Sequence, residues 1–158
     1  MKTHLSPVPV SFFLLSIVAI FMFACAAPPP QPKPHKLQIN ISATADVNPD
    51  IDGRPSPVIL HVLELSSIEE FNMADFFALT ADDASALGGD VLNKTEIILT
   101  PGSSRSMTLE LRPETTSMGF VAGYRDIDNA RWRLSKEVAN AETSQMTVVI
   151  GNQQISIN

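Results

Sequence analysis

The stretch Leu37-Gln38-Ile39-Asn40-Ile41 alternates apolar and polar side chains, which is the pattern of a β-strand that buries one face. Residues 58–65 read Val-Ile-Leu-His-Val-Leu-Glu-Leu, a nearly continuous aliphatic run typical of a strand covered on both faces. Shorter runs with strand character follow along the chain, at 96–99, 107–111, 118–124, 131–138, 146–150 and 154–157. These seven to eight short strands predict an all-β sandwich.

Two turn signals lie between predicted strands. Pro101-Gly102 predicts a turn between the strands at 96–99 and 107–111. Gly151-Asn152 separates the last two strands, and both residue types tolerate the positive φ that a tight hairpin turn requires. The sequence therefore predicts tight connections at both places.

The segment of about 66–90 breaks the strand pattern and predicts a small helical insertion. Ser67 precedes Glu70 by three residues, the spacing of a capping box at a helix start. Four apolar side chains that follow share one helical face, namely Ile68, Phe71, Ala74 and Phe77. The sequence is also compatible with a bend near Asn72 or Asp75.

A second helix start within this insertion is predicted where Thr80 precedes Asp83, and Gly88-Gly89 predicts its end. Three phenylalanines, Phe71, Phe76 and Phe77, are expected to anchor the insertion in the core. Burial is much commoner for such side chains than a role in a cofactor pocket.

The first thirty residues have the organisation of a secretory signal. Lys2 supplies a positive start, residues 8–27 contain no charged side chain, and Cys25 follows Ala24 directly. A cysteine after the cleavage position resembles a bacterial lipoprotein signal, in which Cys25 is acylated and becomes the first residue. The alternative is an uncleaved membrane anchor, because twenty apolar residues can span a bilayer. Prolines near both ends of the run disfavour a spanning helix.

These features predict three parts of the chain. Residues 1–24 form the lipoprotein signal peptide, residues 25–36 contain the acylated cysteine and a Pro-rich tether, and residues 37–158 form the sandwich domain. The tether is semi-rigid and spans about 3.1 Å per residue when extended. Ala26 follows the cysteine, and the absence of Asp there resembles sorting to the outer membrane. Several acyl chains would make release from the membrane slow.

The charge and residue usage of the mature part exclude several functions. Lys2 is the only charged residue before Cys25, so the remainder holds ten Lys or Arg and seventeen Asp or Glu. This acidic balance disfavours nucleic acid as a partner. The chain has one cysteine, and no Gly-x-Ser-x-Gly, HExxH or phosphate-loop motif occurs. The sequence therefore indicates a protein that is not an enzyme and needs no cofactor or small-molecule substrate.

A calcium site in the 46–56 segment is the one metal hypothesis that the sequence raises. Asn48, Asp50 and Asp52 occupy alternate positions before Gly53, as at the start of a calcium loop. That motif requires a glutamate six residues after the glycine, where this chain has Ile59. We therefore expect no metal there.

A second acidic group is more simply explained as a turn that caps its own backbone. It consists of Asp126, Asp128 and Asn129. The neighbouring arginines are expected to pair with these acids, and they are Arg125, Arg131 and Arg133.

Three separated motifs resemble the TssJ family, the outer-membrane lipoproteins of the bacterial type VI secretion system. They are Asn-Pro-Asp-Ile-Asp-Gly-Arg-Pro-Ser-Pro at 48–57, Ala-Asp-Phe-Phe-Ala-Leu at 74–79 and Gly-Tyr-Arg-Asp-Ile-Asp-Asn-Ala-Arg-Trp-Arg at 123–133. The resemblance extends over about residues 37–157 and implies a transthyretin-like β-sandwich with a small helical addition. It departs from the family at Met22-Phe23, before the cysteine, and in the long proline stretch.

The resemblance also implies a function without catalysis. Such a lipoprotein anchors a trans-envelope complex by binding the periplasmic C-terminal domain of TssM, a large inner-membrane protein. The family makes much of this contact through the loop between its first two strands, here 46–56. The candidate partner-binding residues are Asn48, Pro49, Asp50, Asp52, Gly53, Arg54 and Pro55.

Two hypotheses for this loop follow from its chemistry. Its prolines lower its freedom before binding, and Arg54 has the geometry for bidentate bonds to a partner carboxylate. Alternatively, Asp50 and Asp52 only build a turn, and Arg54 pairs with one of them. The contact hypothesis predicts that shortening 48–54 preserves the fold and abolishes binding.

Two alternative functions remain for the whole protein. One is a lipoprotein chaperone or pilotin, and the other is a carbohydrate-binding sandwich.

Overall fold

The computed structural model describes residues 35–81, 88–138 and 143–158. The predictions for the signal peptide, for Cys25 and for the tether up to residue 34 lie outside these residues. The predicted second helix, which starts with Thr80 and Asp83, also lies outside them between residues 82 and 87. Among the described residues, none of the helices has the length and hydropathy needed to cross a membrane. The elements are β1 (His35–Ala43), β2 (Val58–Leu65), α1 (Glu69–Met73), α2 (Phe76–Thr80), β3 (Val91–Leu99), β4 (Ser104–Leu111), β5 (Ser117–Ala122), β6 (Arg133–Glu137), β7 (Thr143–Ile150) and β8 (Ile155–Ile157).

The strands form two four-stranded sheets, with the orders β4-β1-β7-β8 and β3-β2-β5-β6. In the first sheet, Ile39 of β1 lies opposite Met107 of antiparallel β4 and Met146 of parallel β7. The second sheet is antiparallel throughout. The predicted all-β sandwich with a helical insertion is therefore confirmed.

The core follows the predicted alternation. Leu37, Ile39 and Ile41 of β1 are fully buried between the sheets, and their polar neighbours face outward. β2 is buried at every position except Ile59, which confirms a strand covered on both faces. Its outer face lies under the helices in a second apolar cluster, consisting of Leu63, Leu65, Phe71, Leu79 and Val121.

Up to residue 81, the helical insertion contains two five-residue helices rather than one continuous helix. The chain bends between them, as predicted near Asp75, whose side chain accepts a hydrogen bond from the amide of Ala78 at 2.8 Å. The predicted capping box is wrong, because the Ser67 hydroxyl accepts from the amide of Glu69 instead of Glu70.

The three phenylalanines of the insertion have different environments. Phe71 is buried as predicted, and Phe76 is half-buried beside Trp132, with 5.4 Å between the ring centroids. Phe77 is 77% exposed, so its predicted role as a core anchor is wrong. The bend at Ala74 and Asp75 starts a new helix with a different face toward the sheet, and the single helical face predicted from the spacing is not continued.

Arg133 of β6 connects the helical insertion to the second sheet by hydrogen bonds. Its guanidinium donates to the carbonyl oxygens of Phe71 at 2.9 Å and Ala74 at 2.8 Å. It also lies 5.0 Å from the centroid of the Trp132 ring. The expected pairing of Arg133 with the 126–129 acids is therefore wrong, because the last carbonyls of α1 bind this cation.

The turn between β7 and β8 differs from the prediction. Neither Gly151 nor Asn152 has a positive φ, and the connection is a four-residue loop closed by a 2.8 Å bond from the Gly151 amide to the Gln154 carbonyl. The turn at Pro101-Gly102 is confirmed, with Gly102 at φ 74°.

Gly119 on β5 allows the Phe71 ring to reach the sheet. A Cβ at this position would lie 2.7 Å from Cε2 of Phe71 and 3.1 Å from Cδ1 of Leu65. Gly119→Ala is expected to destabilise the domain by about 1–3 kcal/mol, because a buried ring must move. Urea unfolding of the variant measures this loss.

Gly123 provides the matched control for that substitution. A Cβ there meets no atom closer than 3.5 Å, so Gly123→Ala should change stability little. Equal stability of the two alanine variants would contradict the close packing of Phe71 on Gly119.

Candidate protein-binding site

Three loops meet at one end of the sandwich, which we call the loop end. They connect β1 to β2 (44–57), β5 to β6 (123–132) and β7 to β8 (151–154). Hydrogen bonds from the amide of Thr44 to the carbonyl of Ile150 and from the amide of Asn48 to the carbonyl of Asn152 join the first loop to the β7–β8 hairpin. The opposite end contains His35, where the chain enters β1 beside Leu111. A nine-residue strand separates the two ends by roughly 25–30 Å.

Asn48 is the residue that joins all three loops. Its side-chain NH₂ donates to the carbonyl of Pro57 at 2.6 Å, and its side-chain oxygen accepts from the amide of Arg125 at 2.8 Å. Its own amide donates to the carbonyl of Asn152 at 2.9 Å. Asn48 is 3% exposed and adopts φ 49°, a left-handed conformation that Asn tolerates better than most residues. It therefore positions the loop from below its surface.

The tip of the β1–β2 loop, residues 50–54, is a turn built around Asp50. One carboxylate oxygen of Asp50 accepts from the amides of Asp52 at 3.0 Å and Arg54 at 2.9 Å. The Gly53 amide donates to the Asp50 carbonyl at 2.9 Å, and Gly53 has φ 77°. The amide of Arg54, and then its side chain, hold the pKa of Asp50 below its usual value. The turn is therefore ordered by its own residues.

Arg54 pairs with both acids of the tip. Its Nε lies 2.9 Å from Asp50, and a terminal nitrogen lies 2.7 Å from Asp52. The pairing within the loop that the second hypothesis predicts for Arg54 is therefore present, with both acids rather than one. The same pairs leave the Arg54 side chain 73% exposed, so pairing within the loop does not bury it.

The tip also presents an apolar side chain that the sequence analysis did not include. Ile51 is completely exposed, and it borders an open depression of about 610 Å³. This depression is lined by Pro49, Asp50, Ile51, Arg125, Asp126 and Gln153. The sequence signal for an exposed Ile51 is its position between two aspartates and before a turn glycine, where a core residue is not expected. A partner that covers this side chain would remove its apolar surface from water, which favours association.

The acidic group at 126–129 forms a turn as predicted, but the Asp126 carboxylate accepts from side-chain amides and does not cap the backbone of the turn. The side-chain amide of Asn129 donates to both carboxylate oxygens of Asp126, at 2.9 and 3.1 Å, and Gln153 donates to the same carboxylate at 3.1 Å. The bond from Gln153 links the β5–β6 loop to the β7–β8 loop. Across the ranges 35–81, 88–138 and 143–158, no cluster of three or more His, Cys, Asp or Glu has the arrangement to hold a metal ion.

Two further polar side chains, those of Tyr124 and His61, belong to the scaffold. Tyr124 is buried and its hydroxyl donates to the Gly151 carbonyl at 3.3 Å, and burial raises its pKa. The His61 side chain is 7% exposed, with Nδ1 3.8 Å from a carboxylate oxygen of Glu96. Tyr124 lies beneath the loop end, and His61 lies on β2 opposite Glu96 of β3.

The comparisons with known proteins agree with this architecture. A family model of the type VI secretion lipoproteins, described as VasD, EvfM and TssJ, matches residues 35–153. The T6SS lipoprotein TssJ1 from Pseudomonas aeruginosa is 38% identical, with a TM-score of 0.76 over 79% of this chain and 95% of that chain. Lip from Serratia marcescens, a membrane-bound component of the type VI secretion system, is 26% identical, with a TM-score of 0.73 over 79% and 96%.

A third solved structure has lower sequence identity, so its similarity supports a shared fold only. A chain in the structure of the T6SS protein TssM C-terminal domain (869–1107) from EAEC is 19% identical, with a TM-score of 0.65 over 78% of this chain and 97% of that chain. No curated protein matches the sequence significantly. The family model extends over most of the chain, and the protein therefore belongs to the type VI secretion lipoprotein (TssJ) family.

Proposed function

We propose that this lipoprotein anchors the type VI secretion complex to the outer membrane by binding the periplasmic C-terminal domain of a TssM-like inner-membrane protein. The observation that carries the proposal is the 50–54 tip, which is exposed to solvent and yet ordered by its own hydrogen bonds. A loop that is ordered before binding loses little conformational entropy when a partner covers it.

The candidate residues have two different roles in this proposal. Asn48, Asp50 and Gly53 set the position and shape of the loop, because their polar groups bond within the protein. The partner contacts the exposed side chains of the tip, Ile51, Asp52 and Arg54, and the two flanking prolines, of which Pro55 is exposed and Pro49 half-buried. Ile51 supplies the apolar anchor, and the paired Arg54 and Asp52 supply a polar rim.

The position of the loop suits an anchor. The tether precedes His35 at one end of β1, and the binding loop follows Ala43 at the other end. Strand β1 therefore places His35, where the described domain begins, at the opposite end of the sandwich from the loop. The family is a structural component of the secretion system, and the proposed role has no catalytic step.

Attachment to the outer membrane through Cys25 gives a direct prediction. Cys25→Ser removes the acylation site, and we expect the protein to move from the membrane fraction to the soluble periplasmic fraction. Labelling with a fatty-acid analogue should mark the wild type and leave the variant unlabelled. Unlabelled wild-type protein at the mass of the full precursor would contradict acylation and favour an uncleaved anchor.

Calorimetry tests the proposed partner. Residues 33–158 form one compact unit, so a soluble domain beginning at residue 26 can be titrated with the periplasmic region of the same organism's TssM-like protein. A saturable one-site heat is the expected result. The absence of heat with both proteins folded would overturn the proposal and favour a pilotin-like function.

A further inference from the structure

An exposed apolar surface lies on the outer face of the second sheet, next to the loop end. Ile59 of β2 and Ile98 of β3 are directly opposite each other in the antiparallel pairing. Their exposed fractions are 40% and 61%, although each lies inside a regular strand. Apolar side chains that adjoin on a sheet face and remain exposed often mark an interaction site.

The surface continues from Ile59 to the second helix across a glycine. The Gly123 amide donates to the Ile59 carbonyl at 2.8 Å. A Cβ on Gly123 would lie 3.8 Å from Cβ of Ile59 and 3.9 Å from Cζ of Phe76. Gly123 therefore leaves a shallow notch between these two side chains. Phe76 in turn meets the exposed Phe77 edge-on, with 5.6 Å between the ring centroids.

We call this set the apolar face, and it consists of Ile59, Ile98, Gly123, Phe76 and Phe77. The helical insertion packs on the outer face of this sheet at Leu63, Leu65 and Val121, and Ile59 and Ile98 lie outside that cluster. Phe77 is 77% exposed on α2, so this helix contributes an apolar side chain to the apolar face.

The apolar face is continuous with the proposed binding loop. From Pro55 to Ile59 the chain alternates, with Pro55, Pro57 and Ile59 exposed and with Ser56 and Val58 buried. The exposed members lie on the same side of an extended chain, because side chains alternate along a strand. They form an unbroken apolar path from the loop tip to the sheet.

We propose that the apolar face is a second contact surface for the protein that binds the 50–54 tip. Its occupant is an apolar segment of that protein, with one aliphatic or aromatic side chain placed in the notch over Gly123. Glu96 lies beside Ile98 on the same face of β3 and is half-exposed, so a basic residue next to that apolar side chain fits the charge of the site. This inference rests on the proposed function.

Substitutions on the apolar face test the inference by calorimetry. Ile98→Ser and Phe77→Ser each remove an exposed side chain, and each is expected to weaken binding about tenfold. Gly123→Leu fills the notch and should weaken binding by a similar factor. Met73→Ser is the matched control, because Met73 on α1 is 73% exposed and lies outside the apolar face. Its affinity should equal that of the wild type.

The loop variant Ile51→Ser separates this inference from the proposed function. If Ile51→Ser weakens binding while all three apolar-face variants bind like the wild type at unchanged melting temperature, the second contact is wrong and the proposed function stands. If the wild type does not bind, both are overturned. If Ile98→Ser and Phe77→Ser instead dissociate a dimer of the free domain, the face binds a second copy and the inference is overturned.

Discussion

Removal of residues 50–53 is expected to abolish measurable binding to the TssM-like region while the sandwich stays folded. The hydrogen bonds of Asp50, Asp52 and Gly53 are made within the tip, so their removal leaves no buried partner unsatisfied elsewhere. The bond from the Ser56 amide to the Val47 carbonyl, at 3.1 Å, still closes the base of the shortened loop. We expect a loss of affinity of more than about 100-fold, because the deletion removes the Ile51 anchor and the polar rim together.

This deletion is narrower than the range 48–54 suggested by the sequence. Asn48 is buried and bonded to three loops, so a deletion that includes it would disturb the whole loop end and confuse unfolding with loss of contact. A melting temperature equal to that of the wild type is the required control. A folded deletion variant that binds with wild-type affinity would show that the tip is not the contact.

Point variants at Arg54 refine the same prediction. The guanidinium bonds two carboxylates of the tip, so Arg54→Ala removes both an exposed charge and the bracing of the turn. Asp50→Asn keeps an oxygen that can accept from the loop amides and weakens only the ion pair. If Arg54 contacts the partner directly, Arg54→Ala should weaken binding much more than Asp50→Asn, whereas similar losses would assign Arg54 to bracing alone.

Regular periodicity made most of the strands predictable from the sequence. The alternation at 37–41 and the aliphatic run at 58–65 reflect which face of each strand is buried, and burial is what the periodicity records. β3 begins at Val91, five residues before the predicted 96–99, because its first half contains polar residues such as Asn93 and Lys94. These residues pair with β2 through backbone bonds that side-chain polarity does not reveal.

The features that the sequence did not predict depend on contacts between distant segments. Phe77 lies at helical spacing from Phe71, but the bend that Asp75 caps turns it to solvent. Arg133 binds carbonyls about sixty residues away in sequence, and no local pattern announces this. Asn48 belongs to the loop that the sequence marks as the binding segment, but only its three hydrogen bonds reveal that it supports the loop from beneath. Chain topology decides such contacts.

Asn48→Ala is expected to be the most destabilising substitution in the loop. It leaves the carbonyl of Pro57 and the amide of Arg125 without the partners they have in the native protein. A buried polar group that loses its partner costs about 1–3 kcal/mol, and alanine at φ 49° adds about 1 kcal/mol of backbone strain. We therefore expect the free energy of unfolding to fall by about 2–4 kcal/mol, as measured by urea unfolding.

Asn48→Gly is the matched variant that separates the two causes of this loss. Glycine adopts a positive φ without strain but makes neither side-chain hydrogen bond. Asn48→Gly should therefore recover only the backbone part, about 1 kcal/mol, relative to alanine. If glycine restores full stability, the hydrogen bonds to Pro57 and Arg125 contribute little, and the position of the loop depends on backbone conformation alone. If both variants are equally unstable, the two side-chain hydrogen bonds account for the loss of stability. In that case the folded variants should also bind the partner more weakly, because the tip is no longer held against the 123–132 loop.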